Sequence, residues 1–287
     1  MLHPPVYKWD SQQVKLRQST WETTRCGSDY GEEGTVTSAA FRSAVEIPHL
    51  ATMFGWTQGL SLLPIFLVSW SSATFIVSYL IAIYRNDVDV IFPYISDTSA
   101  TPPESCIFGL MTFISASAGT ATVYARFKYV EKMNEGTNVV ASRVNTAALV
   151  LGLISCLGMV VVATFQETAV IVAHDVGALL FFVPGILYVI LQVVISFQAY
   201  PISSSVVICR ARLGFAIIAT LAFFPTLICA FLAKMSLHRH KDDQDYPFHI
   251  ASAVCEWIVS FSFIFFFYTY IDEFKFFNLR VRIELQE

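Results

Sequence analysis

The run VGALLFFVPGILYVILQVVISF, residues 176–197, contains no charged side chain and a single amide, Gln192. A hydrocarbon core is crossed by ~20 helical residues at about 1.5 Å each, and this run has that reach. Lipid offers no water to exposed backbone N–H and C=O groups, so the run must close its own hydrogen bonds as an α-helix. Five further apolar runs, at 60–83, 106–124, 146–165, 213–233 and 250–271, meet the same requirement, and Glu256 is the one charged residue inside any of the six. Membrane-barrel strands would instead alternate over segments of ~10 residues. Composition agrees: 55% of the chain is hydrophobic and 14% charged, where a soluble domain is about a quarter charged. The fold class read from this pattern is an all-α integral membrane protein with six transmembrane helices.

Basic residues set the expected orientation. Arg126, Lys128, Lys132, Arg143, Arg210, Arg212, Lys275, Arg280 and Arg282 fall on the side that carries the C-terminus; only Arg85, Lys234, Arg239 and Lys241 fall on the other. Both termini are therefore expected in the cytosol. Residues 1–55 are polar, rich in Ser, Thr and Gly, and lack the apolar core of a signal peptide. They read as a disordered cytosolic extension, and Met53 offers an alternative start. The segment 56–271 is the transmembrane domain, and 272–287 is a cytosolic tail. Six cysteines show no CxxC pair or regular spacing, which supports neither a disulfide framework nor a zinc motif. No basic run points to nucleic acid, and no Asn-x-Ser/Thr acceptor is present.

The connection PYISDTSATPPES, residues 93–105, concentrates prolines, carboxylates and hydroxyls between two apolar runs. Thr101-Pro102-Pro103-Glu104 fits a capping box, with Thr101 as N-cap, Pro102 at N1 and Glu104 at N3. Ionisable residues at membrane depth are rare enough to be read as candidate sites. Asp97, Glu104, His174, Asp175, His249 and Glu256 all fall on the non-cytosolic side. His249 and Glu256 are seven residues apart and share a helical face. If these groups converge, they form a structural polar cluster, a proton-sensitive or lipid-headgroup pocket, or a metal or hydrolytic site. Ser69-x₃-Ala73, Ser115-x₃-Gly119 and Ser117-x₃-Ala121 are small-residue pairs that let helices approach closely. Pro64, Pro184 and Pro225 are candidate kinks. The tail LRVRIELQ, 279–286, alternates with period two, so it either adds a strand to a partner or lies along anionic lipid.

PYISDTSATPPES also resembles the first-loop signature of the damage-regulated autophagy modulator (DRAM) family, within a superfamily that includes the Sfk-type membrane proteins. GLSLLPIFLVSWSSATFIVSYLIAI is similar to that family's first helix, LVLGLISCLGMVVVATFQET to its third, AHDVGALLFF to the start of its fourth, and HIASAVCEWIVSFSFIFFFYTYIDEF to its sixth. The similarity runs collinearly over residues 56 to 283. The N-terminal extension departs from it, because members begin almost directly with the first helix.

What the resemblance implies is a six-pass protein of lysosomal or endolysosomal membranes that promotes autophagy and, in some members, apoptosis. The expected function is modulation without catalysis, with no catalytic residue, metal or cofactor. The expected partners are the lipid bilayer and other membrane or autophagy proteins that meet the cytosolic loops or the tail. A transporter or lipid-distribution regulator is the rival reading, as is a plasma-membrane helper of phosphoinositide kinase complexes. A metal-dependent intramembrane hydrolase is a third. The lysosomal membrane is the expected location, with the plasma membrane as alternative.

Overall fold

A computed structural model describes residues 59–89, 91–233, 242–275 and 277. The polar extension, the basic residues Lys234, Arg239 and Lys241, and the alternating tail lie outside the described residues. Six helices are long and apolar enough to cross a membrane. They are α1 (Leu62–Arg85), α2 (Glu104–Thr137), α3 (Ser142–Thr164), α4 (Ile171–Gln198), α5 (Val206–Leu232) and α6 (Tyr246–Tyr268), with a short α7 (Ile271–Phe274) behind them. There is no strand among the described residues.

Several helices overrun the apolar runs that announced them. α2 continues to Thr137, past the apolar stretch that stops at Tyr124. At about 1.5 Å per residue it is longer than the ~30 Å hydrocarbon core, so its last turns stand in the headgroups and water. There, Lys128–Glu131 and Lys132–Glu135 pairs at 2.6 and 2.5 Å bind residues three apart on the solvated surface. Asn138, at φ 48°, ends the helix in the left-handed region that Asn tolerates, and its N–H returns to the Asn134 carbonyl. α5 likewise starts before its apolar run, capped by Ser205, whose hydroxyl accepts from the Ile208 N–H at 3.4 Å. Pro64 is the third residue of α1, where a helix has no use for its missing donor; Pro184 and Pro225 lie inside α4 and α5.

Neighbours in sequence are neighbours in space from α1 to α6, and α6 returns to α1, closing a ring. That closure is aromatic. Trp257 and Phe261 stack on each other on α6, and Phe75 meets both edge-on at 6.2 and 6.1 Å, with Tyr79 edge-on to Trp257. Large apolar side chains such as Leu80, Leu221 and Phe231 are exposed on the outside, as a surface solvated by lipid tails requires. Small and polar residues turn inward: Ser71 donates to Ser115 at 3.0 Å between α1 and α2.

The closest helix contact lies between α3 and α4. A Cβ placed on Gly158 would strike the backbone of Leu180 and Phe181, and one on Gly177 would lie 2.8 Å from Val161 Cγ1. With little hydrophobic drive between helices in lipid, such close packing is the main attraction available. Of the small-residue pairs read from the sequence, Ser115 and Gly119 are buried, with Gly119 against Cys156. Ser117 and Ala121 instead face outward, and Ser69 is exposed. The five cysteines among the described residues are free thiols.

Gly158→Ala should therefore lower the melting temperature and the abundance of the purified protein, since overpacking against backbone costs about 1–3 kcal/mol. Gly214→Ala, which meets nothing within 4 Å, should be neutral or stabilising by up to ~1 kcal/mol through helix propensity. Equal effects of the two substitutions would contradict the α3–α4 contact.

Candidate functional site

The bundle has two polar ends. At the distal end, the connection between α1 and α2 folds inward rather than running over the surface as loops do. Ile95, Asp97, Thr98, Ser99, Ala100 and Glu104 are buried, around a short 3₁₀ turn at Asp97–Ser99. α6 anchors this plug: the Ile95 N–H donates to Glu256 Oε2 at 3.0 Å, and the Trp257 indole N–H donates to the Pro93 carbonyl at 2.9 Å. The edge-on contact of Tyr94 with His249, 4.8 Å between ring centres, adds to it. Thr168, before α4, donates to the Ala100 carbonyl at 2.9 Å, and the hydroxyls of Ser78 and Thr98 meet at 3.2 Å. The loop thus closes this end of the ring.

The register at the start of α2 differs from the capping box expected at Thr101, Pro102 and Glu104. Pro103 is the N-cap, Glu104 is the first helical residue, and no side chain caps the helix. The Glu104 carboxylate is engaged elsewhere: it accepts from the Thr101 hydroxyl and lies 3.5 Å from Arg85 Nε, which also binds Asp87 at 2.9 Å. A carboxylate held by a neighbouring guanidinium and hydroxyl is not free to reach back to a backbone N–H.

The six ionisable candidates divide. Glu256 and His174 line one internal cavity, and Asp97 and Glu167 lie within electrostatic reach of Glu256. His249 packs on the plug through Tyr94. Glu104 belongs with Arg85, and Asp175 is exposed on the outside of α4. No cluster of three potential metal ligands occurs among the described residues.

The cavity, about 120 Å³, lies inside the ring and is lined by α1, α2, α3, α4 and α6 together with Ile95 and Ser96 of the plug. Its walls are apolar, Leu67, Phe108, Val123, Met159, Phe181 and Ile264 among them. Tyr188 stands at its inner end, where its hydroxyl pairs with that of Tyr270 at 3.1 Å.

Behind Tyr270, at the end where α1 begins and α7 lies, sits a buried ionic network. Arg126 of α2 and Arg212 of α5 are both fully buried, and both grip Glu273 of α7. Arg126 Nη1 donates to Glu273 Oε2 at 2.5 Å and its Nε to Gln192 Oε1 at 3.1 Å. Arg212 binds both Glu273 oxygens at 3.0 Å, the Ser196 hydroxyl at 2.7 Å, and the side chain and carbonyl of Thr269 at 2.8 and 3.1 Å. Such a two-oxygen grip is the strong, directional form of a charge-assisted hydrogen bond. The site buries two positive charges against one negative. The ring of Tyr270 lies 5.1 and 4.8 Å from the two guanidinium carbons and offers its negative face to the surplus. The network ties α2, α4, α5 and the segment after α6 into one unit.

In the sequence, Arg126 and Arg212 stand only among the basic residues that set orientation. A signal for their inward placement was present. Arg126 continues the buried stripe Ser115, Gly119, Thr122 at helical spacing, and Arg212 begins the stripe Ala216, Ala219, Phe223. An arginine on the small-residue face of a membrane helix points into the bundle.

A family model described as the Frag1/DRAM/Sfk1/Cwh43P N-terminal domain matches residues 59–277. The chain is 44% identical over 236 residues to the DNA damage-regulated autophagy modulator protein 1 of Mus musculus, covering 82% of this chain and 99% of that protein. It is 40% identical over 242 residues to DNA damage-regulated autophagy modulator protein 2 of Rattus norvegicus, covering 81% and 90%. A modulator of macroautophagy, TMEM150B of Danio rerio, is 30% identical over 225 residues, covering 78% and 87%. No solved structure matches the chain significantly.

Glu273→Ala strands two buried guanidinium groups and should cost about 3–5 kcal/mol, read as a large fall in melting temperature. Lys275→Ala breaks only an exposed pair with Asp272 and should cost under ~1 kcal/mol. The double variant Arg126→Met/Glu273→Ala should be destabilised by less than the sum of its parts. A mild effect of Glu273→Ala, similar to that of Lys275→Ala, would contradict the network.

Proposed function

The chain belongs to the Frag1/DRAM/Sfk1/Cwh43P family, and on that premise we propose that it is a multipass modulator of autophagy in the lysosomal or endolysosomal membrane. The observation that carries this reading is the 44% identity, over nearly the whole length of that protein and 82% of this chain, to a relative named as an autophagy modulator. It acts without catalysis of its own, a reading supported by relatives that are named as modulators rather than as enzymes. Both termini face the cytosol. The excess of basic residues on that side, Lys128 and Lys132 at the end of α2 among them, supports this orientation. This cytosolic end, with Lys275 beside it, is the surface offered to protein partners.

A second reading, handling of a lipid or small molecule, is favoured by one specific observation: the ring of helices is not filled, and its cavity carries Glu256 and His174 at one end.

The modulator reading is tested by tagging the endogenous protein and measuring autophagic flux as lysosome-dependent breakdown of long-lived protein. Expected are coincidence of the tag with lysosomal membranes, cytosolic exposure of tags at both termini, and a fall in flux on deletion that re-expression restores. Flux unaltered by deletion would overturn the reading.

A further inference from the structure

We propose that the central cavity holds one small neutral ring compound bearing a hydroxyl, a molecule of the size of phenol, with that hydroxyl between Thr112 and Glu256. The proposal deepens the small-molecule reading of the cavity and rests on it; it is independent of autophagy modulation.

Size sets the first limit. A cavity of about 120 Å³ is close to the ~150 Å³ of dry cavities that take up benzene. One aromatic ring fits such a space; an acyl chain or a sterol does not. The walls suit a ring as well. Phe75, Phe108, Phe181 and Phe263 line the cavity from α1, α2, α4 and α6. Phe181 and Phe263 already meet edge-on at 5.7 Å, a geometry open to a further ring.

Hydrogen bonding sets the second limit. Several hydroxyls on the lining are satisfied inside the protein. Ser71 and Ser115 bond each other, Ser155 donates to the Phe181 carbonyl at 2.7 Å, and Thr74 donates to the Trp70 carbonyl at 2.9 Å. His174, nearer the distal end, is held through Nδ1 by the Phe165 carbonyl at 2.8 Å. Thr112 is different. It lines the cavity, it is 5% exposed, and its hydroxyl has no hydrogen-bond partner. Glu256 lines the cavity too; its Oε2 accepts from the Ile95 N–H, and its other oxygen has no bond among the described residues.

These two groups stand on different walls at similar depth. α2 and α6 both start at the distal end, and Thr112 and Glu256 lie about 12 and 15 Å along them. A hydroxyl donates and accepts at once, so one placed between them gives to Glu256 and takes from Thr112. A plain hydrocarbon of the same size leaves both groups without a partner. An ionised guest would exchange its hydration for apolar walls and two polar groups, which is unfavourable.

The test uses the full chain in phosphatidylcholine nanodiscs and para-fluorophenol, followed by fluorine NMR. Fluorobenzene and para-fluorobenzoate are the comparators, and protein-free nanodiscs give the uptake by lipid alone. Expected is saturable binding of the phenol, at least about 3-fold tighter than fluorobenzene, the scale of one net hydrogen bond. The benzoate should show none. Thr112→Val removes the hydroxyl and keeps the shape. It should weaken the phenol about 3- to 10-fold and leave fluorobenzene unchanged. The melting temperature of the unliganded variant should be unchanged or higher, because a buried hydroxyl without a partner is costly. Ala178→Leu, which fills the cavity, should abolish binding of both guests while the size-exclusion profile stays monodisperse. Equal affinity for phenol and fluorobenzene, indifference to Thr112→Val, or preference for the benzoate would overturn the proposal while leaving a small-molecule site in the cavity. Saturable binding of none of the three would contradict the small-molecule reading as well.

Discussion

Two arginines inside a membrane protein must be answered, and Glu273 is what answers them. Burying a charge in a low-dielectric interior is costly unless it is paired and fully hydrogen-bonded. Arg126 and Arg212 come from helices that are not neighbours in the ring, so a single carboxylate between them holds α2 and α5 at a set distance. Gln192 and Ser196 bring in α4, and Thr269 fixes the exit of α6. The strength of the arrangement is also its weakness. Removing Glu273 leaves both guanidinium groups without a counter-charge, while removing either arginine still leaves one ion pair; apolar helix contacts in lipid, by contrast, can slide and repack.

That lock determines what the rest of the ring can be. With the terminal end clamped and the distal end closed by the folded-in connection at 93–104, the helices between have fixed ends. They need not collapse on one another along their length. α3 and α4 do collapse, backbone against backbone at Gly158 and Gly177. α1, α2 and α6 stand around the cavity and meet through aromatic and hydroxyl contacts. Tyr188 and Tyr270 join the two regions: one ring closes the inner end of the cavity and the other lies against both guanidinium groups.

The six crossings were legible in the sequence because lipid imposes one severe rule on the backbone, and uncharged runs of sufficient length obey it visibly. Helix ends were less legible. Beyond the bilayer, helices continue on charged i,i+3 pairs such as Lys128–Glu131, and these leave no hydrophobic signature. The capping box at Thr101 was legible only as a pattern; the side chain that would complete it belongs instead to Arg85, a partner nineteen positions away in sequence. Of the distal candidates, Glu256 and His174 reach one cavity because α4 and α6 are both turned toward the centre, which single-helix periodicity does not reveal. Arg126 and Arg212 were overshadowed by a rule that counts basic residues near membrane ends without asking which face they occupy.

An experimental density map of the full chain in a lipid nanodisc tests this account most directly. The account predicts continuous density from Glu273 to both Arg126 and Arg212, and a centre of the ring that protein side chains leave unfilled. A map in which Glu273 faces solvent, or in which side chains from α1, α2 and α6 fill the centre, would contradict it.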